Sequence, residues 1–244
     1  PYIAWIKYPQ VSNTQDAVPW RDDHGIQTRL VEDSRDLENA AAIVLPGSKN
    51  TLLDLEWMRR NGFDEAIRRK AKNGTPILGI CGGYQMLGST LSDPGVSKNA
   101  KGLDLLPICT RFQSSKQVLR RRCRYGSERW ETFEIHAGES ELTGKAENTS
   151  HLLTVEADSE EPIAEGLRKD RVWGSYQHGL FESPAFRRDF IEQAGLSSNV
   201  VVDPRSYRDK LEERYAAMAD LLERCLDLGP VKRYLGQNTR KKQF

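Results

Sequence analysis

The sequence predicts an α/β fold built on a doubly wound, mostly parallel sheet with an added antiparallel section. Residues 41–45 and 75–78 form short segments bounded by Gly and Pro, typical of strands covered on both faces, and residues 52–73 between them have helical spacing. Strands that alternate with helices in this way favour a doubly wound sheet. Residues 117–124 and 129–136 alternate polar and apolar side chains, which predicts the antiparallel part.

The remaining elements are predicted from the same helical spacing and strand-like alternation of side chains. A polar loop is expected over residues 9–19, and the helical pattern of residues 52–73 is interrupted near Asn61-Gly62. The other predicted elements are strands at 2–8, 25–31, 151–155 and 171–176, and helices beginning at Tyr84 and covering 184–194 and 207–226.

Length and charge narrow the class of protein. The 244 residues are enough for one large α/β domain with a packed core. They include 36 Lys and Arg against 35 Asp and Glu, so bulk charge gives no argument for nucleic acid or an anionic membrane as a partner. No apolar run approaches the roughly 18 residues that span a bilayer. We therefore expect a cytoplasmic protein with no nucleic-acid or membrane partner.

The cysteines give no sign of a metal site or a disulfide framework. Cys81, Cys109, Cys123 and Cys225 include no Cys-x-x-Cys pair and have no companion His at zinc spacing. We expect no metal, and a reducing compartment.

The two ends of the chain suggest a piece of a longer protein. The sequence enters a strand directly after Pro1 and has no initiator Met, so we expect that it was cut from something longer. The expected domain covers residues 3–228. Residues 229–244, which end in Arg240-Lys241-Lys242 and Gln-Phe, are predicted to form a disordered tail.

The segment Gly79-Ile80-Cys81-Gly82-Gly83-Tyr84-Gln85-Met86-Leu87-Gly88 places Cys81 on a strand-to-helix turn. Glycines on both sides fit a turn too tight for side chains, as in a nucleophile elbow. At a helix N-terminus, unpaired N–H groups and the helix dipole favour thiolate over thiol. Cys81 is therefore a candidate nucleophile, and the alternative of a small buried cysteine in a Gly-rich turn stays open on these residues alone.

Three candidate groups follow predicted strands of the parallel sheet. Gly47, Cys81 and His178 each come directly after such a strand, where doubly wound sheets bind their ligands. A nucleophilic cysteine needs a base, and His178 is the best placed of the four histidines. A histidine that follows a strand can also be merely structural.

Four motifs carry a resemblance to a known family. They are, in chain order, Leu45-Pro46-Gly47-Ser48-Lys49-Asn50, the Cys81 segment above, Phe133-Glu134-Ile135-His136-Ala137-Gly138, and Gly174-Ser175-Tyr176-Gln177-His178-Gly179-Leu180-Phe181. Over nearly its whole length the chain resembles the class I glutamine amidotransferase domain of cobyric acid synthase. The resemblance implies a flavodoxin-like fold and a glutaminase half-reaction.

In that half-reaction Cys81 attacks the side-chain amide of glutamine, ammonia leaves, and water releases glutamate from a thioester. The resemblance implies that His178 takes the thiol proton and passes it to the leaving ammonia.

The resemblance also assigns roles to main-chain groups and to the residues after the nucleophile. An oxyanion hole is expected from the backbone N–H of Gly82 and one from the Gly47-Ser48 loop. Gly83, Tyr84 and Gln85 are expected to bind the substrate.

The family passes its ammonia to an ATP-dependent synthetase domain that precedes the glutaminase domain and amidates carboxylates of a corrin ring. No Gly-x-x-x-x-Gly-Lys-Ser/Thr loop occurs here, because Gly47-Ser48-Lys49-Asn50-Thr51 lacks its length and second glycine. The expected partners are therefore glutamine, a synthetase domain either fused or separate, and an acidic corrinoid acceptor. No cofactor is expected in this chain, with ATP and Mg²⁺ on the synthetase domain.

One position departs from most class I amidotransferases. They carry a Glu two residues after the catalytic His, but here that position is Leu180. The expected site is therefore a dyad. Glu182 and Glu134 are alternatives for orienting His178, although carboxylates without a catalytic role are the favoured interpretation. His136 has no assigned role.

Other interpretations stay open. Arg120-Arg121-Arg122 with Arg124 is a solvated strand edge or, less favoured, a contact for the acidic corrinoid or the synthetase domain. The chain could instead be a stand-alone glutaminase subunit of a peptidoglycan-type amidating complex, or a non-catalytic module that binds a partner. The motifs around residues 46–50 and 134–136 favour the cobyric acid synthase branch, and the intact Cys81 and His178 favour catalysis.

Overall fold

The computed structural model describes residues 1–144, 147–156 and 161–239, and the chain divides into two compact units, Pro1–Pro204 and Arg205–Phe244. Within the described residues, the first unit contains three β-sheets, one of them the short pair β2 and β5, and four α-helices. Its strands are β1 (Tyr2–Ile6), β2 (Val11–Ser12), β3 (Gln27–Val31), β4 (Ala42–Leu45), β5 (Gly47–Ser48), β6 (Ile77–Ile80), β7 (Thr90–Asp93), β8 (Lys98–Lys101), β9 (Ile108–Tyr125), β10 (Glu128–Leu142), β11 (Thr149–Ser150), β12 (Leu153–Glu156), β13 (Ile163–Glu165), β14 (Leu167–Lys169) and β15 (Val172–Ser175). Its helices are α1 (Thr51–Arg60), α2 (Phe63–Lys72), α3 (Gly82–Leu87) and α4 (Pro184–Gln193).

The central sheet has seven strands in the order β11-β14-β15-β6-β4-β1-β3. The five strands from β15 to β3 are parallel, and β14 and β11 add antiparallel pairs at one edge. Every residue of β1, β4, β6 and β15 is buried, as expected of strands covered on both faces. The predicted doubly wound, mostly parallel sheet is confirmed.

The antiparallel section forms a second sheet, in the order β13-β12-β9-β7-β8, with β10 paired to β9. The hairpin of β9 and β10 is longer than the two strands predicted from the alternating pattern. Its register shifts at one point: His136 pairs with Gln117 but Gly138 pairs with Phe112, so residues 113–116 bulge opposite Ala137. This bulge lies at the candidate site described below.

One other segment differs from prediction. The expected polar loop over residues 9–19 contains β2 and most of a 3₁₀ helix, Thr14–Asp22, which begins after Asn13 in the left-handed conformation. The predicted interruption near Asn61-Gly62 is confirmed: residues 52–73 form two helices, and Gly62 between them has a φ of 70°.

The second unit consists of α5 (Tyr207–Cys225) and α6 (Gly229–Thr239). Ser206 caps α5 by accepting a hydrogen bond from the Asp209 N–H, 3.0 Å away. The helix α6 stands where a disordered tail was predicted, and residues 240–244 lie outside the described residues. None of the helices in the described ranges is long and apolar enough to cross a membrane.

A buried ion pair holds the end of the 3₁₀ helix Thr14–Asp22 in place. The fully buried Arg187 of α4 donates from Nε to the Asp23 carboxylate at 2.8 Å and from Nη2 to the Asp203 carbonyl at 3.1 Å. The Asp203 N–H donates back to Asp23 at 2.9 Å. Nearby, the Trp20 ring packs edge-on against Phe181 at a centroid distance of 4.9 Å. These contacts fix the segment that follows β1 against the segment that follows β15.

Replacing Asp23 with Ala should destabilise the protein strongly. The change leaves the Arg187 guanidinium buried without its carboxylate, which typically costs about 3–5 kcal/mol of unfolding free energy. Urea unfolding of wild type and variant measures the loss. Glu32→Ala is the control, because Glu32 pairs with Lys7 on the surface and its removal should change little. Equal losses for the two variants would contradict the assignment.

Candidate active site

The predicted catalytic residues meet at the carboxyl edge of the parallel sheet. Neighbouring strands β4, β6 and β15 end just before Gly47, Cys81 and His178, respectively. Parallel neighbours end at the same sheet edge, so the three segments come together although they are far apart in sequence.

Cys81 lies on a strained turn between β6 and α3. Its φ and ψ are 53° and −109°, values that a residue with a side chain rarely adopts. The Cys81 N–H donates to the Ser175 carbonyl at 2.8 Å, and the Sγ lies 3.3 Å from the Ile135 carbonyl oxygen of β10. Cys81 is therefore held between the two strands that flank the site, β15 and β10, and only 5% of its surface is exposed.

Glycines after the nucleophile allow a close backbone approach. A Cβ on Gly83 would lie 1.9 Å from the Leu45 carbonyl oxygen, and one on Gly82 would lie 2.9 Å from the Ser48 nitrogen. Only glycine fits at Gly83, since real side chains do not approach backbone so closely. The α3 helix thus starts directly beneath the end of β4.

His178 is fully buried and is oriented by Asp16. Its Nδ1 donates to Asp16 Oδ2 at 2.7 Å, and the second Asp16 oxygen accepts the Gly179 N–H at 2.8 Å. Burial lowers the pKa of His178, but hydrogen bonds and charge interactions with Asp16 and Cys81 outweigh it and raise the pKa to about 10. The arrangement is a Cys81, His178 and Asp16 triad, so the dyad interpretation was wrong.

The two carboxylates considered from the sequence have other neighbours in the structure. Glu134 accepts a hydrogen bond from Gln177 Nε2 at 2.9 Å. Glu182 lies beside Gly179: its Oε1 is 3.3 Å from the position that a Cβ on Gly179 would occupy. Asp16 was missed because it lies 162 residues before His178. A signal for it exists, since the polar segment of residues 12–16 follows a predicted parallel strand.

The second nitrogen of His178 is also engaged. Asn13 Nδ2 lies 2.9 Å from His178 Nε2, while Asn13 Oδ1 accepts from Gln15 Nε2 at 3.2 Å. In the neutral form of the ring, with the proton on Nδ1 facing Asp16, Nε2 accepts the Asn13 hydrogen bond. Phe133 stacks on the ring at a centroid distance of 5.0 Å and exchanges two backbone hydrogen bonds with His178.

The Gly47-Ser48 loop presents a free N–H to the nucleophile. It forms β5, which pairs antiparallel with β2, and the Lys49 N–H donates to the Gln10 carbonyl at 2.8 Å. Because hydrogen-bonded pairs alternate along such a ladder, the Ser48 N–H points away from β2, toward Gly82. The Asp54 carboxylate braces the loop by accepting from Ser48 Oγ and from the Gln10 N–H.

A cavity of about 300 Å³ opens beside Cys81. It is bounded by the Ser48 loop, the start of α1, the bulge of residues 113–116 and the backbone of residues 135–137. Its volume is at the small end of ligand sites, which suits a molecule the size of one amino acid.

Of the three residues expected to bind substrate, only Gln85 lines this cavity. Its Oε1 accepts from Thr51 Oγ1 at 3.0 Å, and its Nε2 donates to the Tyr176 hydroxyl at 3.4 Å. Tyr84 instead packs edge-on against Tyr176, at a centroid distance of 5.2 Å, and Gly83 packs beneath β4.

His136 also lines the cavity. Its Nδ1 lies 2.7 Å from the Gly138 carbonyl oxygen, and its ring stacks on Tyr176 at 3.9 Å. The structure thus gives His136 a place in the cavity wall next to the hairpin bulge.

The remaining basic and sulfur groups are not assembled into a site. Arg121 and Arg124 pair with Glu134 and Glu156, respectively, along the β9–β10 hairpin. Burial raises the pKa of the Cys123 thiol to about 12, despite its hydrogen bond with Thr132. Within the described residues, no group of three or more His, Cys, Asp or Glu side chains could hold a metal ion.

Comparisons with known proteins agree with this geometry. Residues 2–186 match the family model of the CobB/CobQ-like glutamine amidotransferase domain. The chain is 35% identical over 242 residues to the cobyric acid synthase of Prochlorococcus marinus (strain NATL1A), covering 93% of this chain and 48% of that protein. It is 36% identical over 256 residues to the cobyric acid synthase of Moorella thermoacetica, covering 96% and 48%. The chain therefore spans about half the length of the curated relatives that it matches.

Solved structures share the fold. A crystal structure of a glutamine amidotransferase superposes with a TM-score of 0.63 at 18% identity, covering 79% of this chain and 98% of that one. PurLQS from Thermotoga maritima superposes with a TM-score of 0.55 at 15% identity, covering 81% and 96%. With the match over residues 2–186 and the identity to cobyric acid synthases, the chain belongs to the CobB/CobQ-like glutamine amidotransferase family.

Proposed function

We propose that this chain hydrolyses glutamine through a thioester on Cys81 and supplies the ammonia for amide formation. The observation that carries the proposal is the Cys81, His178 and Asp16 arrangement beside a cavity that suits one amino acid. A nucleophile, a base next to it and a group that orients the base are the parts that acyl transfer requires.

Proton transfer begins from the arrangement around His178. The Asn13 amide is hydrogen-bonded to Nε2 of His178, which also interacts with Cys81, and the Cys81 thiol contacts the Ile135 carbonyl; the Asn13 and Ile135 contacts must give way as the thiol proton moves to Nε2. Once Nε2 carries the proton, it can no longer accept from Asn13, and that amide must withdraw or present its oxygen. Asp16 stabilises the resulting imidazolium.

The Cys81 sulfur then forms a bond to the amide carbon of glutamine, and negative charge develops on the carbonyl oxygen. We assign the oxyanion hole to the N–H groups of Ser48 and Gly82, because the Ser48 nitrogen lies 2.9 Å from the position that a Cβ on Gly82 would occupy. Each such donor is typically worth about 2.7–4 kcal/mol in the transition state. The carbon–nitrogen bond breaks as His178 gives its proton to the leaving ammonia, and water then releases glutamate and restores the thiol.

The proposal extends to the acceptor of the ammonia. The relatives at about 35% identity are named cobyric acid synthases, and this chain spans about half their length. We infer that an ATP-dependent synthetase domain, fused or separate, uses the ammonia to amidate carboxylates of an acidic corrinoid in cobalamin biosynthesis. ATP and Mg²⁺ belong to that domain.

Replacing Cys81 with Ala or Ser should abolish glutamate release from glutamine, because neither side chain can form the thioester at this site. A glutamine-like chloroketone should alkylate Cys81 faster than Cys109 or Cys225, as measured by peptide mass spectrometry. Glutaminase activity retained by Cys81→Ala, or equal labelling of the three thiols, would remove Cys81 as the nucleophile.

Asp16→Asn should lower kcat by about 10²–10⁴-fold, the range typical of a general acid–base group. The Asn oxygen can still accept the Gly179 N–H, but its amide would donate to Nδ1 and leave the proton on Nε2, the wrong nitrogen for a base. Steady-state glutamate release measures the loss. Glu182→Gln is the matched control and should cost little, since Asp16 engages Nδ1 of the imidazole and Asn13 engages Nε2. A loss for Glu182→Gln as large as that for Asp16→Asn would contradict the triad.

The isolated chain should hydrolyse glutamine slowly and form no amide product. The base is engaged by Asn13, and β5, which carries an oxyanion donor, pairs with the strand just before Asn13, so one movement can release both. Adding the ATP-dependent domain with nucleotide and an acidic corrinoid should raise glutamate release. An assay with ammonium salt in place of glutamine controls for the synthetase step. Full-rate turnover by the isolated chain would rule out this gating and leave the triad unaffected.

A further inference from the structure

The three residues before His178 are each hydrogen-bonded to a side chain of the second sheet. The Gln177 side chain is fully buried, donates to Glu134 at 2.9 Å and accepts from Thr132 at 2.8 Å. The remaining two residues, Ser175 and Tyr176, are held by a carboxylate that the reaction above does not use, that of Glu165.

Glu165 binds both the side chain and the backbone of this segment. Its Oε2 accepts from Ser175 Oγ at 2.6 Å, and its Oε1 accepts from the Tyr176 N–H at 2.8 Å. The Ser175 hydroxyl in turn accepts the Gln177 N–H at 3.0 Å, and the Ser175 carbonyl accepts the Cys81 N–H at 2.8 Å. The Glu165 carboxylate thus fixes Ser175 at the end of β15, and this strand end positions both His178 and Cys81.

The chain path shows why this carboxylate reaches the strand end. Glu165 ends β13 of the second sheet, and the next residue, Gly166, has a φ of 68° and starts the turn into β14 of the central sheet. A Cβ on Gly166 would lie 2.6 Å from the Gly174 carbonyl oxygen. Glycine therefore lets the chain pass close against β15, and Glu165 spans the two sheets at the catalytic edge.

We propose that Glu165 is a positioning residue of the glutaminase site, which fixes the end of β15 so that His178 and Cys81 keep their mutual geometry. The inference rests on the proposed glutamine hydrolysis. Small displacements of reacting groups cost large factors in rate, whereas substrate affinity depends on the separate cavity wall. Loss of the Glu165 carboxyl should consequently lower kcat and leave KM nearly unchanged.

The surroundings of Glu165 shift its ionisation to near neutral pH, where a pH titration can detect it. Burial raises the pKa of Glu165 to about 7, against the opposing effect of the bonds from Ser175 and the Tyr176 N–H. The facing groups are Glu134 and His136 on β10, Tyr84 on α3 and Cys123 on β9. The Glu134 carboxylate disfavours ionisation of Glu165, and His136 favours it.

The sign of the pH dependence follows from this shift. A carboxyl whose folded pKa lies above its unfolded value of about 4.5 stabilises the fold below that value, and the contribution is lost as pH rises through about 7. Gln stands in for the protonated acid, so Glu165→Gln should remove this pH-dependent step from thermal unfolding. It should likewise remove a step near pH 7 from kcat/KM, because Gln does not ionise.

The experiment compares wild type, Glu165→Gln, Glu165→Ala and Glu139→Gln, the last being an exposed carboxylate of β10. Glutamate release gives kcat and KM, and iodoacetamide labelling of Cys81 from about pH 5 to about pH 9 gives a profile that needs no turnover. We expect Glu165→Ala to lower kcat by about 10–100-fold with KM within about twofold, and Glu165→Gln to keep most of kcat but to lack the step near pH 7. Glu139→Gln should match wild type.

Two results would overturn the proposal. The first is a folded Glu165→Ala protein with wild-type kcat, and the second is a Glu165→Gln pH profile that superimposes on wild type in both assays. If wild type releases no glutamate at all, the glutaminase proposal fails. The labelling profile then decides about Glu165 alone: a difference between wild type and Glu165→Gln supports its positioning role, and identical profiles exclude it.

Discussion

The hydrogen bond between Asp16 and His178 is the interaction on which the site depends. Both side chains are buried, and a buried carboxylate is stable only when its oxygens are paired. Asp16 meets this condition because His178 Nδ1 and the Gly179 N–H each take one oxygen. The bond joins the segment after β1 to the segment after β15, and β4 and β6 lie between these two strands, so the base is correctly held only when all four parallel strands are assembled.

The supports of the triad come from outside the parallel sheet. Phe133 and Ile135 of β10 contact the imidazole and the thiol, and Glu165 of β13 holds the strand end between them. The parallel sheet thus brings the reacting groups to one edge, and the antiparallel section closes over that edge and lines the cavity. This division explains why an added sheet occurs at the carboxyl ends of the strands, where side chains otherwise face water.

The predictions from sequence succeeded where the cause is local. The turn at Cys81 follows from glycines within two residues of it, and the buried strands follow from short apolar runs. Asp16 was missed because it lies 162 residues from its partner, outside the motif that contains His178. The helix α6 was missed because a Gly-Pro start and a basic end were interpreted as a tail. The positions of Gly83 and Tyr84 depend on which side of a short helix faces β4, which six residues of mixed polarity do not fix.

The location of Asp16 also bears on how such a site can be controlled. A carboxylate two residues after the histidine would be fixed by the same turn as the base and could not move independently of it. Here the carboxylate and Asn13 share one segment with β2, and β2 pairs with the β5 strand that carries the Ser48 N–H. Movement of this segment would therefore alter the base, its partner and the oxyanion donor together. The buried Asp23 and Arg187 pair restrains the far end of the same segment, which confines such a movement to the residues next to the cavity.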